Sequence, residues 1–520
     1  MATPRPVRIL LWTVLAVVVV LAIAAGVVLT VPAPAERWLQ GRMLLALREH
    51  YQADVRLENL HLTLIPGIHA TADHLVIPHR GDPSQPPLIT VKHLTMNLAL
   101  IELLRSPIHI SNVELDGMEI KAGGHREPSG LKRPALAPQQ RPTTRFANFV
   151  IDRVEADGAR LYILRKDPSR EPLLFDLRKL SLRSAGIGQP MKFTAELTNP
   201  TPPGLIDTTG RFGPWDFDDP SNTAVGGHYN FQHADLSVFN GISGILSSVG
   251  DYQGVLRNIV VDGTTDVPDF QLDRGGEAVH LTTQFHAIVD GTNGNTYLQP
   301  VKAHFLHTDI VTSGEVAAKA GEKGKTITLA IDMQKARLED VLSLASKAEP
   351  PALTGALMLK ADVDLPPGKE TVLQKMILRG KFQVSDARFS NPKITSVIAE
   401  LSRRGQGKPE DKSITEVPAV FDGVFNLRKS TLNFSRLQFV VPGAAAQMKG
   451  SYGLPNMAIN FAGDVRLQAT ISQMVGGDKG WILAPLDAIF SKHGAGTWLP
   501  VTITGTRDHP ELHVQWKKLF

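Results

Sequence analysis

Ile459-Asn460-Phe461-Ala462-Gly463-Asp464-Val465-Arg466-Leu467 decides how this chain is read. Its large apolar residues fall on every second position, so an extended strand gathers them on one face and turns Asn460, Asp464 and Arg466 to the other. The same period of two recurs at Leu60-His61-Leu62-Thr63-Leu64, at Leu94 to Leu100, at Ile108-His109-Ile110 and at Val113-Glu114-Leu115. Asp290-Gly291-Thr292-Asn293-Gly294 supplies the Asn-Gly step that suits a tight reversal, so neighbouring strands are expected to run antiparallel. Leu512 to Phe520 alternates again and reads equally as a last strand or as a contact for a partner.

One segment breaks the pattern. From Ile9 through Trp12 and Val20 to Val31 the chain is apolar and carries no charge. As a helix these residues reach about 34 Å, enough to span a bilayer core. Arg5 and Arg8 precede the run and the next cation is Arg37, so the positive-inside bias keeps the N-terminus in the cytoplasm and exports the body. Ala33-Pro34-Ala35 resembles a signal-peptidase site, but the apolar run exceeds the usual signal core of about 7–15 residues, which favours a retained anchor.

Without cysteine, the body must hold together by burial and backbone pairing. Lys and Arg total 55 against 51 Asp and Glu, a net charge of +4, and the body contains no basic run, which argues against nucleic acid as the main partner.

Residues 123–145, rich in Gly, Pro, Arg and Gln, read as a linker or long loop, and the prolines between Asn199 and Pro220 mark a second break. The expected divisions are a cytoplasmic stub (1–8), an anchor (9–31), a helix with an N-terminal β region (32–122), the linker (123–145), a central β region (146–370) and a C-terminal β region (371–520). Helical spacing occurs over Glu36 to Tyr51, in a short patch from Ile101 to Arg105, and in four inserts: Ala234 to Val249, Lys335 to Lys347, Ile394 to Arg404 and Trp481 to Lys492.

A small unit, Gly-x-Phe/Tyr-x-apolar, recurs at Gly227, Gly380, Gly423 and Gly450 with irregular spacing, which excludes a solenoid of fixed period. Its glycine fits a strand start, a bulge or a close backbone approach, and its aromatic fills the apolar face two residues on.

Motifs for chemistry are sparse. Gly321 to Thr326 has the tail of a phosphate-binding loop, but Lys319 stands where the first glycine belongs and Thr326 to Ile331 alternates as a strand. His304 and His307 are three apart and would face opposite sides of a strand, while His280 and His286 share a face about 20 Å apart. Asp216-x-Asp218-Asp219 lacks the glycine-turn ligand loop of a calcium site. No catalytic residue, metal site or cofactor is expected, although scattered carboxylates leave an acid/base pair open.

Two stretches resemble the AsmA-like proteins of the bacterial envelope, relatives of the bridge-like lipid-transfer proteins. The first runs from Leu57-Glu58-Asn59-Leu60-His61-Leu62 and Pro66-Gly67 through Leu103-Leu104-Arg105 to Val113-Glu114-Leu115-Asp116-Gly117. The second spans Phe421 to Thr506, with Val441-Pro442-Gly443-Ala444, Gly450-Ser451-Tyr452-Gly453-Leu454 and Leu499-Pro500-Val501-Thr502-Ile503-Thr504-Gly505-Thr506. Together they cover about a third of the chain, and the motifs are mostly strand patterns whose order behind one anchor carries the match.

The resemblance implies a mainly β fold: a single N-terminal transmembrane helix, then a long, curled, mostly antiparallel sheet with a few helical inserts, forming an apolar groove for acyl chains. The alternation by itself would equally build a closed sandwich. The residues expected to line the groove are Leu94, Met96, Leu98, Phe425, Leu427, Leu432, Phe434, Leu437, Phe439, Ile459, Phe461, Val465 and Leu467. Ordinary core packing is the competing role for each. The implied partners are phospholipid, the inner membrane and other envelope proteins. The implied function is binding or conduction of phospholipid in support of outer-membrane assembly, with a non-transporting scaffold as the alternative.

Overall fold

A computed structural model describes residues 56–515 apart from 64–67, 79–85, 88, 100–107, 124–148, 165–171, 187–189, 215–221, 273–275, 292, 320–323, 346, 348–349, 476, 492–495 and 508. The anchor with Ile9, Trp12, Val20 and Val31, the helical segments expected over 36–51 and 101–105, and all of the linker but Gly123 lie outside the described residues. So do Asp216, Asp218 and Asp219. Among the described residues no helix is long and apolar enough to cross a membrane.

The chain is mainly β, one large and mostly antiparallel sheet with few helices. It divides into two compact units. The first takes residues 1–235, 247–263 and 288–294, and the second takes 236–246, 264–287 and 295–520. The boundary expected at 370/371 therefore falls inside the second unit.

The first unit opens with β1 (Arg56–Thr63), β2 (Ile68–Ile77) and β3 (Ile89–Leu98), an antiparallel meander. β4 (Ile108–Ile110), β5 (Asn112–Asp116) and β6 (Glu119–Gly123) follow, with β5 and β6 both paired to β3. β7 (Phe149–Glu155) and β8 (Ala159–Leu164) then run parallel to β4, β5 and β6.

β9 (Leu173–Gly186) pairs antiparallel with β7 and β8, and β10 (Met191–Pro200), β11 (Pro203–Phe212) and β12 (Ala224–Asp235) continue the sheet. The break expected over 199–220 is thus for the most part a hairpin. Pro200 faces Pro203 at its tip, where no ladder donor is required, and the Asn199 amide donates to the Pro202 carbonyl at 2.7 Å.

The helix expected over Ala234 to Val249 does not form. A single 3-10 turn, Leu236–Val238, gives way to β13 (Ile242–Ser243) and β14 (Ile245–Val255). Gly241 and Gly244 take φ of +99° and +132°, values a right-handed helix cannot contain. β15 (Asn258–Leu272) and β16 (Val279–Val289) follow.

In the second unit the strands succeed one another as hairpins: β17 (Thr296–Phe305), β18 (Thr308–Ala317), β19 (Thr326–Arg337), β20 (Leu353–Leu365) and β21 (Ile377–Phe389). The run goes on through β22 (Ala419–Arg428), β23 (Thr431–Val441), β24 (Ala444–Gly453), β25 (Ile459–Leu467), β26 (Thr497–Gly505) and β27 (Pro510–Val514).

Among the described residues five helices interrupt them: α1 (Leu338–Ala345), α2 (Val372–Lys375), α3 (Pro392–Gly405), α4 (Ile471–Val475) and α5 (Gly477–Phe490). Three of these answer the expected inserts at 335–347, 394–404 and 481–492. The start of α3 is set by Asn391, whose side chain accepts from the Lys393 backbone N–H at 2.9 Å, with Pro392 in the first turn.

On one face of this sheet Met333, Ala336, Leu357, Val384, Ala387, Ala419, Val441, Ala444 and Leu467 form the buried core. Leu338 and Val341 of α1, Ile398 and Leu401 of α3 and Met474 of α4 cover it. The helices close one end of an apolar face that continues beyond them.

Candidate functional site

Cross-strand register explains how that face continues. Ile331 pairs with Ala361, Ala361 with Gly380, Gly380 with Phe425, Phe425 with Phe434, Phe434 with Gly450, Gly450 with Phe461 and Phe461 with Ile503. Every member of this row points to the face of the core. The rings of Phe382, Phe425, Phe434 and Phe461 meet along it, with centroids 6.1 Å apart for Phe382–Phe425, 6.4 Å for Phe425–Phe434 and 5.8 Å for Phe434–Phe461. Phe425, Phe434 and Phe461 lie outside the helix-covered cluster and are half-buried, whereas a ring in the sealed interior, Phe305, is 2% exposed.

The expected lining residues divide by unit. In the first unit Leu94 and Met96 are 1% and 0% exposed, so they are packed core and touch no open space in this structure. Leu98 pairs through its backbone with Ile68, and its side chain lies outside the described residues. In the second unit Leu427 and Leu467 are sealed, while Phe425, Leu432, Phe434, Leu437, Phe439, Ile459, Phe461 and Val465 are half-buried. Ten of the thirteen therefore share one face of one sheet, and eight of those ten keep part of their surface open.

The opposite face carries a feature that alternation did not signal. A cavity of about 1500 Å³ runs across eight strands, β18 to β25, and touches Lys449, Gly450, Ser451, Asn460 and Ala462 but not Phe461. A Cβ on Gly450 would sit 2.8 Å from the Phe461 ring, so that ring covers Gly450 on the apolar side. Ile331, Phe425 and Phe434 also border it, but each of the eight strands contributes two residues from the polar side and at most one from the apolar side, so the cavity opens on the polar side.

Two side-chain rows form its walls. One is Ser313, Ala330, Asp362, Arg379, Asn426, Asn433, Ser451 and Asn460, each directly opposite the next. The other includes Val311, Asp332, Lys360, Lys381 and Val424. Lys360 Nζ lies 3.0 Å from Asp332 and holds that carboxyl below its ordinary value through the hydrogen bond. The Asn426 side-chain oxygen is buried with no hydrogen-bond partner.

Titratable pairs are spread over separate strand pairs. The His93 ring meets Asp73 at 2.7 Å and holds its carboxyl below the usual range, and His109 meets Asp152 at 3.0 Å. His304 meets Asp309 at 2.8 Å, while His307 turns to Asp340 at 3.4 Å, so the two histidines serve different carboxylates. Among the described residues no group of three or more His, Cys, Asp or Glu side chains converges as a metal site would require.

Comparisons with protein-family models, with curated proteins and with solved structures return no match.

Proposed function

We propose that this protein binds the acyl chains of phospholipid along the apolar face of the second unit and acts by binding rather than by catalysis. The observation that carries the reading is the row of four contacting rings, three of them half-buried and outside the cluster that α1, α3 and α4 cover. A sheet face whose only role is to be a core is sealed, as Leu94 and Met96 are.

The physical gain is large. A chain of about 16 carbons exposed to water costs on the order of 12 kcal/mol at about 0.8 kcal/mol per CH₂. At about 1.4 kcal/mol per tenfold, that slows escape into water by roughly eight to nine powers of ten. An apolar strip offsets most of it without chemistry, and rings impose no polar contact that would stop a chain from sliding. The apolar run from Ile9 to Val31 supports an inner-membrane tether with the β body in the periplasm. Together with the AsmA-like resemblance, this supports a curled groove that conducts phospholipid toward outer-membrane assembly.

Native mass spectrometry of gently extracted full-length protein tests the reading. Bound phospholipid is expected on the wild type and absent from a folded Phe461→Asp variant. Equal lipid on both would overturn it. The cavity on the face opposite the rings favours a second reading, a non-transporting scaffold, and a lipid-free protein holding a stable partner through that cavity would establish it.

A further inference from the structure

The first unit carries a charge arrangement that neither strand pairing nor an acyl groove requires. Arg153 on β7 lies directly opposite Arg183 on β9, Arg183 opposite Lys192 on β10, and Lys192 opposite Arg211 on β11. All four side chains are exposed, and all project from one face in a single row. Adjacent strands are about 4.8 Å apart, so the row extends about 14 Å.

Beside it runs a row of hydroxyls, with Ser181 opposite Thr194 and Thr194 opposite Thr209. A cavity of about 370 Å³ is bounded by Ser181, Arg183, Lys192, Thr194, Thr209 and Arg211. Cations and hydroxyls thus line one small space.

Like charges directly opposite one another on a sheet destabilise it. Among the described residues only Arg153 has a carboxylate in reach, Glu155 at 3.5 Å, and Arg183, Lys192 and Arg211 have no ion-pair partner. Edge protection, the usual reason for cations on strands, does not apply, because β9, β10 and β11 each have a strand on both sides. What relieves such a row is an anion with several charges spaced along it, and guanidinium and ammonium groups flanked by hydroxyl donors suit phosphate oxygens.

We propose that Arg153, Arg183, Lys192 and Arg211 form a binding site for a polyphosphorylated anion, either a free condensed phosphate or a lipid headgroup that presents phosphate monoesters. The site is on the first unit and stands independently of acyl binding by the second.

The test uses full-length protein, sodium tripolyphosphate as the probe, and calorimetry with thermal melting at low ionic strength. Wild type binds the probe and melts higher in its presence. Lys192→Gln, at the centre of the row, binds at least about tenfold more weakly, yet melts above the wild type when no anion is added, because one like-charge contact on each side is gone. Lys192→Arg keeps binding, and Lys179→Gln, whose lysine pairs with Glu196 away from the row, binds like the wild type. Vesicles of phosphatidylcholine with and without phosphatidic acid identify the source. Lys192-dependent binding to the acidic vesicles assigns a headgroup, and binding of the soluble probe alone assigns a free anion. Equal tripolyphosphate affinity in wild type and Lys192→Gln, or a variant that melts below the wild type without anion, overturns the site.

Discussion

Gly380 on β21 lies directly opposite Phe425 on β22, and a Cβ on Gly380 would sit 2.9 Å from the tip of the Phe425 ring. The relation is reciprocal. Two residues along, Phe382 lies opposite Gly423, where a Cβ would meet the Phe382 ring at 2.7 Å. Two Gly-x-Phe units on antiparallel neighbours in this register place each ring over the other strand's glycine, so both rings lie low across the sheet and still touch at 6.1 Å. Gly450 on β24 beneath Phe461 on β25 repeats the arrangement three strands further on. The recurring sequence unit is thus a device for laying phenylalanines flat on an apolar face.

Gly380→Ala is expected to destabilise the protein by about 1–3 kcal/mol, the usual range for an overpacked site. The added methyl meets the Lys360 carbonyl oxygen at 2.7 Å and the Ala361 Cβ at 2.9 Å as well as the ring. Because part of the clash is with Phe425, adding Phe425→Ala should recover some of the loss. Urea unfolding of the two single variants and the double variant measures the coupling, expected above about 0.5 kcal/mol. Strict additivity would mean the ring does not rest on that glycine.

Sealed and half-open apolar residues should respond differently to the same change. Met96, at 0% exposure, should lose about 2–5 kcal/mol on truncation to alanine, and Met96→Asp should not fold. Phe461, half-buried, should lose about half the roughly 3–5 kcal/mol of a fully buried ring, and Phe461→Asp should remain folded. Circular dichroism with thermal melting separates the two. A Phe461→Asp chain that unfolds would place Phe461 in a sealed core.

Asp340 fixes α1 to the β17–β18 turn. Its side chain is 5% exposed and accepts from the His307 backbone N–H at 2.9 Å and the Thr308 hydroxyl at 2.8 Å, while Thr308 Oγ1 accepts from the Arg337 N–H at 3.0 Å. Asp340→Ala leaves one buried and one part-buried donor unmet and should cost about 1–3 kcal/mol, with hydrogen exchange quickening in the 306–308 turn and α1 before the rest of the unit. Uniform exchange across the unit would show that the contact is not local.

Acid should loosen the α4–α5 pair. Burial pushes the Asp487 carboxyl up, but hydrogen bonds from the Ser472 hydroxyl at 2.6 Å and the Ser472 backbone N–H at 2.9 Å outweigh it and hold the group below its ordinary value. A carboxyl lowered by folding contributes stability that is complete above its unfolded pKa of about 4 and is lost as pH falls through the folded value. Asp487→Asn should therefore be less stable than the wild type at neutral pH, and the gap should narrow below about pH 4. A gap that stays constant from pH 7 to pH 3 would rule out this linkage.

Strand identity was legible because a period of two needs only local information. β3, β5, β22, β23 and β25 lie where alternation placed them, and α1, α3 and α5 overlap the segments that read as helical inserts, α3 with its Asn391 cap. Over 234–249 small apolar residues suit either form, and the positive φ at Gly241 and Gly244 decides against the helix. The prolines around 200 carry the composition of a break yet sit at a hairpin tip, because the pairing of Pro200 with Pro203 is set by the flanking strands.

What the sequence determined by itself is the composition of each strand's two faces, since side-chain direction follows from position along one chain. Register between chain segments is a different quantity, fixed by turn lengths, bulges and packing that no single strand contains. Only the tertiary structure, therefore, sealed Leu94 and Met96 while leaving Phe425 and Phe461 part open, set each ring over its glycine, and brought Arg153, Arg183, Lys192 and Arg211 into one row from positions 58 residues apart in sequence.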